Sequence, residues 1–181
     1  MTRRLPPGPL WTTACLCALA GCASRPSAPA LVDTPIYQNK QEGFRFEAPE
    51  GWKMASRAEY PPGRTEQERL LVEYRRLRGE QPASFLVSMV DLPESADPGA
   101  YLRDRPFVKS LKSTPAESLT LGGRPAQRYA FEGRPGKGDS SQEVVAVRHG
   151  ERVYFFTGVF AAGDKQAREQ VRRTVASLTW G

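Results

Sequence analysis

His149 is the only histidine among 181 residues, so Ser-His-Asp or Cys-His chemistry in this chain would have to pass through it. It stands in Val147-Arg148-His149-Gly150-Glu151. Gly150 marks a hairpin turn there, and a solvated turn histidine is the reading to expect. One histidine also cannot build a multi-histidine zinc site. A second stretch that invites chemistry is Gly133-Arg134-Pro135-Gly136-Lys137-Gly138-Asp139-Ser140. A Walker loop needs Gly-Lys followed directly by Ser or Thr and opening a helix. Here Gly138 and Asp139 intervene and a strand pattern follows, so the segment reads as a loop between strands. The closest carboxylates, Glu66 with Glu68 and Asp91 with Glu94, have no neighbour in sequence that would raise a pKa for acid–base work. They read as solvated surface groups. No D-x-D-x-D-G calcium loop occurs.

Two basic runs, Arg75-Arg76-Leu77-Arg78 and Arg172-Arg173, could meet anionic head groups, lipopolysaccharide or an acidic protein. Glu66, Glu68, Glu73 and Glu80 lie among or near the first run, which makes an ordinary mixed-charge surface the stronger reading. Trp52 and Trp180 could stack on a ligand. Each buries ~200 Å² when it closes a core, and core is the better expectation. The balance of 26 Lys+Arg against 20 Asp+Glu, with 39% hydrophobic and 25% charged residues, fits one globular domain.

The three cysteines, Cys15, Cys17 and Cys22, all fall near the start. Arg3 and Arg4 precede an apolar run, residues 10–20, of eleven residues. That is too short to span a bilayer, which takes ~20, but right for the core of a secretory signal. The run leads into Leu19-Ala20-Gly21-Cys22, which resembles the lipobox of bacterial lipoproteins. The resemblance implies a signal peptide over residues 1–21, cleavage before Cys22 and a diacylglyceryl group on the Cys22 thiol. Cys15 and Cys17 would leave with the signal, so no disulfide or thiolate metal site is expected. Two or more acyl chains make a stable anchor. Ala23 in place of Asp after the cysteine implies sorting to the outer membrane, periplasmic side. Residues 23–34, rich in small residues and proline, read as a flexible tether, giving a lipidated tether over 22–34 and a folded domain over 35–181.

Within that domain the spacing predicts strands at 36–38 and 44–48 around Glu42-Gly43, with Phe44, Phe46 and Ala48 alternating with polar residues. Residues 69–77 fit a helix by Leu70, Leu71, Tyr74 and Leu77. A hairpin gap at 79–82 before a strand at 85–92 favours a strand instead. Asp97-Pro98 predicts a helix start, with Tyr101, Leu102 and Phe107-Val108 as apolar positions and Pro106 ending its first part. Gly122-Gly123 predicts a hairpin between 117–121 and 125–131, and His149-Gly150 another between 144–147 and 153–160. Asp164 caps a helix whose Ala167, Val171, Val175 and Leu178 form one stripe. Hairpins, helix, hairpins, helix is an α+β order: a largely antiparallel sheet flanked by helices.

Three stretches resemble one family. They are Gly43-Phe44-Arg45-Phe46 running to Pro49-Glu50-Gly51-Trp52; Leu121-Gly122-Gly123-Arg124-Pro125-Ala126 with Tyr129 and Phe131; and Tyr154-Phe155-Phe156 followed by the last helix and Ser177-Leu178-Thr179-Trp180. In order and spacing they are similar to the PsbP-like domain, shared with the yeast Ran-binding Mog protein and many small bacterial lipoproteins. The resemblance implies an α/β/α sandwich and favours strand for residues 69–77. Its photosynthetic members assist an oxygen-evolving complex and its yeast member binds a nuclear GTPase. What they share is a non-catalytic, accessory role.

The expectation is therefore a non-enzymatic, lipid-anchored envelope protein that binds or supports another envelope protein. It would meet the membrane through the lipid on Cys22, with no cofactor, no metal and no nucleic-acid partner. A small-molecule or lipid carrier is the alternative, and an envelope hydrolase built on His149 a second one.

Overall fold

The central strand of the domain, β10 (Arg152–Ala161), reads RVYFFTGVFA, a nearly continuous apolar run. Such a run marks a strand covered on both faces. In the computed structural model, which describes residues 35–77, 82–106, 108, 111–133 and 140–181, that is where it lies. Val153 and Phe155 point to one face of the sheet, and Tyr154, Phe156 and Phe160 to the other. Burying a phenylalanine of this kind stabilises by about 2–3 kcal/mol.

The main sheet has eight antiparallel strands. They are β3 (Lys53–Arg57), β4 (Arg69–Arg76), β5 (Ala83–Asp91), β6 (Lys112–Ser113), β7 (Glu117–Leu121), β8 (Arg124–Glu132), β9 (Ser140–His149) and β10. Their order is β3-β4-β5-β10-β9-β8-β6, and β7 also pairs with β8. A second sheet of three strands runs β1 (Ile36–Asn39), β2 (Phe44–Glu47) and β11 (Thr179–Trp180). It covers one face of the main sheet together with α2 (Lys165–Ala176); Phe44 meets Tyr154 and Phe46 meets Phe85, both edge-on. The six-residue α1 (Pro98–Arg103), with Val108 and Leu111, covers the other face, where Tyr101 stacks on Phe155.

Residues 69–77 are strand over Arg69–Arg76, and their helix-like spacing has a physical cause. The β4–β5 register shifts between Leu70 and Val72, so consecutive residues Leu71 and Val72 are both buried in the same core. A bulge breaks the two-residue period and imitates a helical one. Both caps form as their residue types require. Asp97 accepts from the amides of Gly99 and Ala100 at 2.9 Å, and Asp164 accepts from that of Ala167 at 3.0 Å. α1 stops at Arg103, before Pro106.

Gly122 and Gly123 both hold positive φ, 54° and 79°, the requirement of a two-residue type I′ hairpin turn. Gly158 answers a different need. A Cβ there would lie 2.8 Å from Val171 Cγ1, so its bare backbone lets α2 approach β10.

Candidate functional site

The register of β9 and β10 pairs His149 with Arg152, leaving only Gly150 and Glu151 in the turn. His149 is thus the last residue of β9 and not the turn residue expected; the ladder extends as far as a two-residue loop allows. The residue is exposed, and its ring meets that of Trp180 edge-on, with centroids 5.1 Å apart. Arg124 Nη2 lies 3.5 Å from His149 Nε2, and the Arg124 guanidinium sits 5.3 Å over the Trp180 ring. Burial and the Arg124 charge lower the His149 pKa below the usual imidazole value, with Glu42 acting the other way. A catalytic base faces a nucleophile. This ring nitrogen faces a guanidinium, and among the described residues no serine or carboxylate hydrogen-bonds to it.

Beside His149 opens a cleft of about 480 Å³, lined also by Gln41, Glu42, Gly63, Arg64, Asp91, Glu151, Arg152 and Tyr154. Its floor is an ion-pair network centred on Arg152. Nε donates to Asp91 Oδ1 at 2.8 Å, Nη1 to Glu42 Oε2 at 2.9 Å and Nη2 to the Gly63 carbonyl at 2.8 Å. Tyr154 donates its hydroxyl to Glu42 Oε2 at 2.6 Å. Asp91 also accepts from the Thr65 amide. Burial alone would raise the Asp91 pKa; Arg152 and the Thr65 amide outweigh it and hold the carboxyl below its ordinary value. Burial, then the bond to Glu42, raises the Tyr154 phenol. These shifts keep Asp91 ionised and Tyr154 protonated at neutral pH. They hold the charges of the network in place.

Two carboxylates read as solvated surface groups are therefore structural. Asp91 is buried in the cleft floor. Glu68 accepts from Ser88 Oγ, Tyr101 OH and Arg105 Nη2, and the Arg105 guanidinium lies 4.7 Å over Phe155. Three arginines of the basic runs are paired within the domain, while Arg173 is exposed. Arg75 pairs with Glu73, Arg76 with Asp164, and Arg172 with buried Glu143 at 2.8 Å; Arg78 lies outside the described residues. Trp52 is core, with Nε1 donating to Gln170 Oε1 at 2.9 Å. Trp180 is half-buried against Phe44, Tyr154 and His149. The glycine-rich segment joins β8 to β9, so a strand follows it, although residues 134–139 lie outside the described residues. Cys22, the signal and the tether also lie outside them. Among the described residues no three His, Cys, Asp or Glu side chains cluster as metal ligands, and no helix is long and apolar enough to cross a membrane.

No family model matches the chain, and no curated protein matches it. Among solved structures it is similar to the solution structure of cyanobacterial PsbP (CyanoP) from Synechocystis sp. PCC 6803. The TM-score is 0.55 at 14% sequence identity, with 86% of this chain and 98% of that chain covered. The fold is that of PsbP. At this identity the likeness carries the architecture of the PsbP fold and no site residue.

The structure brings together His149, Trp180 and Asp91, which were singled out for separate reasons. It adds Arg124, Arg152, Glu42 and Tyr154, whose roles were not read. The hairpin turns held part of the signal: once Gly122-Gly123 and Gly150-Glu151 are turns, Arg124 and Arg152 open the returning strands. The meeting of these strand ends with Glu42 comes from the packing of two sheets, which no local spacing encodes.

Proposed function

We propose that this chain is a non-catalytic, lipid-anchored envelope protein whose PsbP-fold domain serves as an accessory or binding module for another envelope protein. The lipid is carried on Cys22, the tether spans residues 22–34, and the anchor holds the domain at the periplasmic side of the outer membrane. The domain is a thin α/β/α sandwich, with α1 on one face and α2 beside the small sheet on the other.

The observation that carries the reading is the saturation of the cleft. Arg152 pairs with both Asp91 and Glu42, so these carboxylates are already neutralised, and the His149 ring faces the Arg124 guanidinium and not a nucleophile. The same charged floor argues against a lipid carrier, whose cavity would be lined mainly by apolar groups. The Leu19-Ala20-Gly21-Cys22 sequence supports the anchor.

Two experiments test the two parts. Labelled palmitate should enter the full-length protein and not a Cys22→Ser variant; label in neither form would overturn the anchor. In-cell crosslinking with mass spectrometry should then recover one abundant envelope protein with the lipidated form and much less with Cys22→Ser. Turnover of envelope material by the purified protein, lost in His149→Ala, would overturn the non-catalytic reading.

A further inference from the structure

The C-terminal strand is held at one corner by a stack of three side chains. β11 has two residues and pairs only with β2. The Gly181 amide adds a 2.8 Å bond to the Gly43 carbonyl. Arg45 Nε donates to Thr179 Oγ1 at 3.1 Å, and the Trp180 indole adds to the hold. It rests on the bare backbone of the β7–β8 turn, where a Cβ on Gly122 would come within 2.7 Å of Trp180 Cδ1. Tyr154 and Phe44 meet it edge-on at 5.2 and 5.5 Å. Its Nε1 is buried without an acceptor among the described residues, so packing and charge fix the ring. The charge comes from Arg124 over the ring, and Arg124 in turn leans on His149.

The stack suits a neutral imidazole. Arg124 donates towards His149 Nε2, and a protonated ring has no acceptor there. Protonation would set a second cation against the guanidinium, and both would compete for one indole. The charged groups around the ring are Arg124 from β8, Arg152 across the ladder on β10, Glu151 in the turn, Glu42 between β1 and β2, and, across the cleft, Arg64 and Asp91. Arg152 is committed to Asp91 and Glu42, and Glu42 already accepts from Arg152 and Tyr154.

We propose that His149 is a proton-operated latch on the C-terminal strand. Neutral, it seats Arg124 over Trp180 and keeps β11 on β2; protonated, it drives Arg124 away and loosens β11. Burial and Arg124 both act to disfavour the proton, as the latch requires.

The test uses the full chain, in which one imidazole resonance reports one residue. An NMR titration follows the His149 ring, and amide exchange at Gly181, corrected for its intrinsic rate, follows β11. The ring should titrate below about 6.5, the ordinary value. Gly181 protection should be full above about 6.5 and fall as pH drops from there to the ring's own midpoint, by about tenfold for each unit that separates the held imidazole from a free one. Arg124→Gln should raise the ring's midpoint, and His149→Gln should show flat protection across the range. Titration at or above the ordinary value would overturn the latch. So would protection that is unchanged through the titration, or that is lost equally in His149→Gln. If either variant fails to fold, the unaltered chain decides: protection lost only between about pH 6.5 and the ring's midpoint, and level below it, supports the latch, and a loss outside that span overturns it.

Discussion

Arg152 and Asp91 face each other as partners across the β5–β10 ladder, and the Arg152 Nε donates to Asp91 Oδ1 at 2.8 Å. The pair closes the sheet at the end where the β1–β2 turn folds over it, and Glu42 from that turn completes the network. A cross-strand ion pair at a surface would contribute little. Here the Asp91 side chain is only 5% exposed, so losing either partner strands a buried charge.

Asp91→Asn should cost about 3 kcal/mol at neutral pH, because Arg152 keeps its charge and loses half its compensation. The sign of the pH dependence follows from the lowered Asp91 pKa. The folded state binds the proton less tightly than the unfolded chain, so this stability is complete above about pH 4, the unfolded value, and is lost as pH falls from there through the folded pKa. Urea unfolding at pH 7 and pH 3 should show the gap between the parent and Asp91→Asn narrowing in acid. A gap of equal size at both values would contradict the assignment.

The two glycines of the β7–β8 turn should differ in their tolerance of alanine. Both hold positive φ, which costs a side chain about 1 kcal/mol. A Cβ on Gly123 meets nothing within 4 Å, whereas one on Gly122 meets Trp180 Cδ1 at 2.7 Å and the Leu178 carbonyl at 3.1 Å. Gly123→Ala should lose about 1 kcal/mol, and Gly122→Ala about 1–3 kcal/mol more from overpacking. Equal losses in chemical denaturation would mean that the indole does not rest on the turn.

Gly158→Ala should destabilise by about 1–3 kcal/mol, since its methyl would press on Val171 Cγ1 at 2.8 Å and Phe160 Cε1 at 3.0 Å. Val171→Ala removes the first obstacle. The double variant should therefore be more stable than the sum of the single losses predicts, a coupling of order 1 kcal/mol in a double-mutant cycle. Strict additivity would place α2 farther from β10 than described.

Much of the fold was legible because its signals are local. Asp97-Pro98 and Asp164 announced their helices, since a cap is a matter of a few adjacent residues. Gly122-Gly123 announced its hairpin for the same reason. Residues 69–77 were less clear, because the bulge at Leu70–Val72 disturbs the period that sequence reading relies on.

The candidate site was legible only in pieces. His149, Trp180 and Asp91 stood out by residue type, but no role was read for their neighbours Arg124, Glu42 and Arg152. Asp91 and Glu68, read as solvated, proved to be held by arginines 61 and 37 positions away.

By itself the sequence determined the two helices, their caps, the hairpin turns, the apolar stripes and the longer strands, because each depends on residues within a few positions of one another; β3, β6 and β11, short or with exposed side chains, left no such pattern. Only the tertiary structure decided that a three-stranded sheet shares one face with α2, that Arg152 joins Asp91 to Glu42, and that Arg124, His149 and Trp180 stack at one corner. Those contacts arise where strand ends from distant parts of the chain converge. The free energy of burying a charge or a ring there depends on partners that no window of sequence contains.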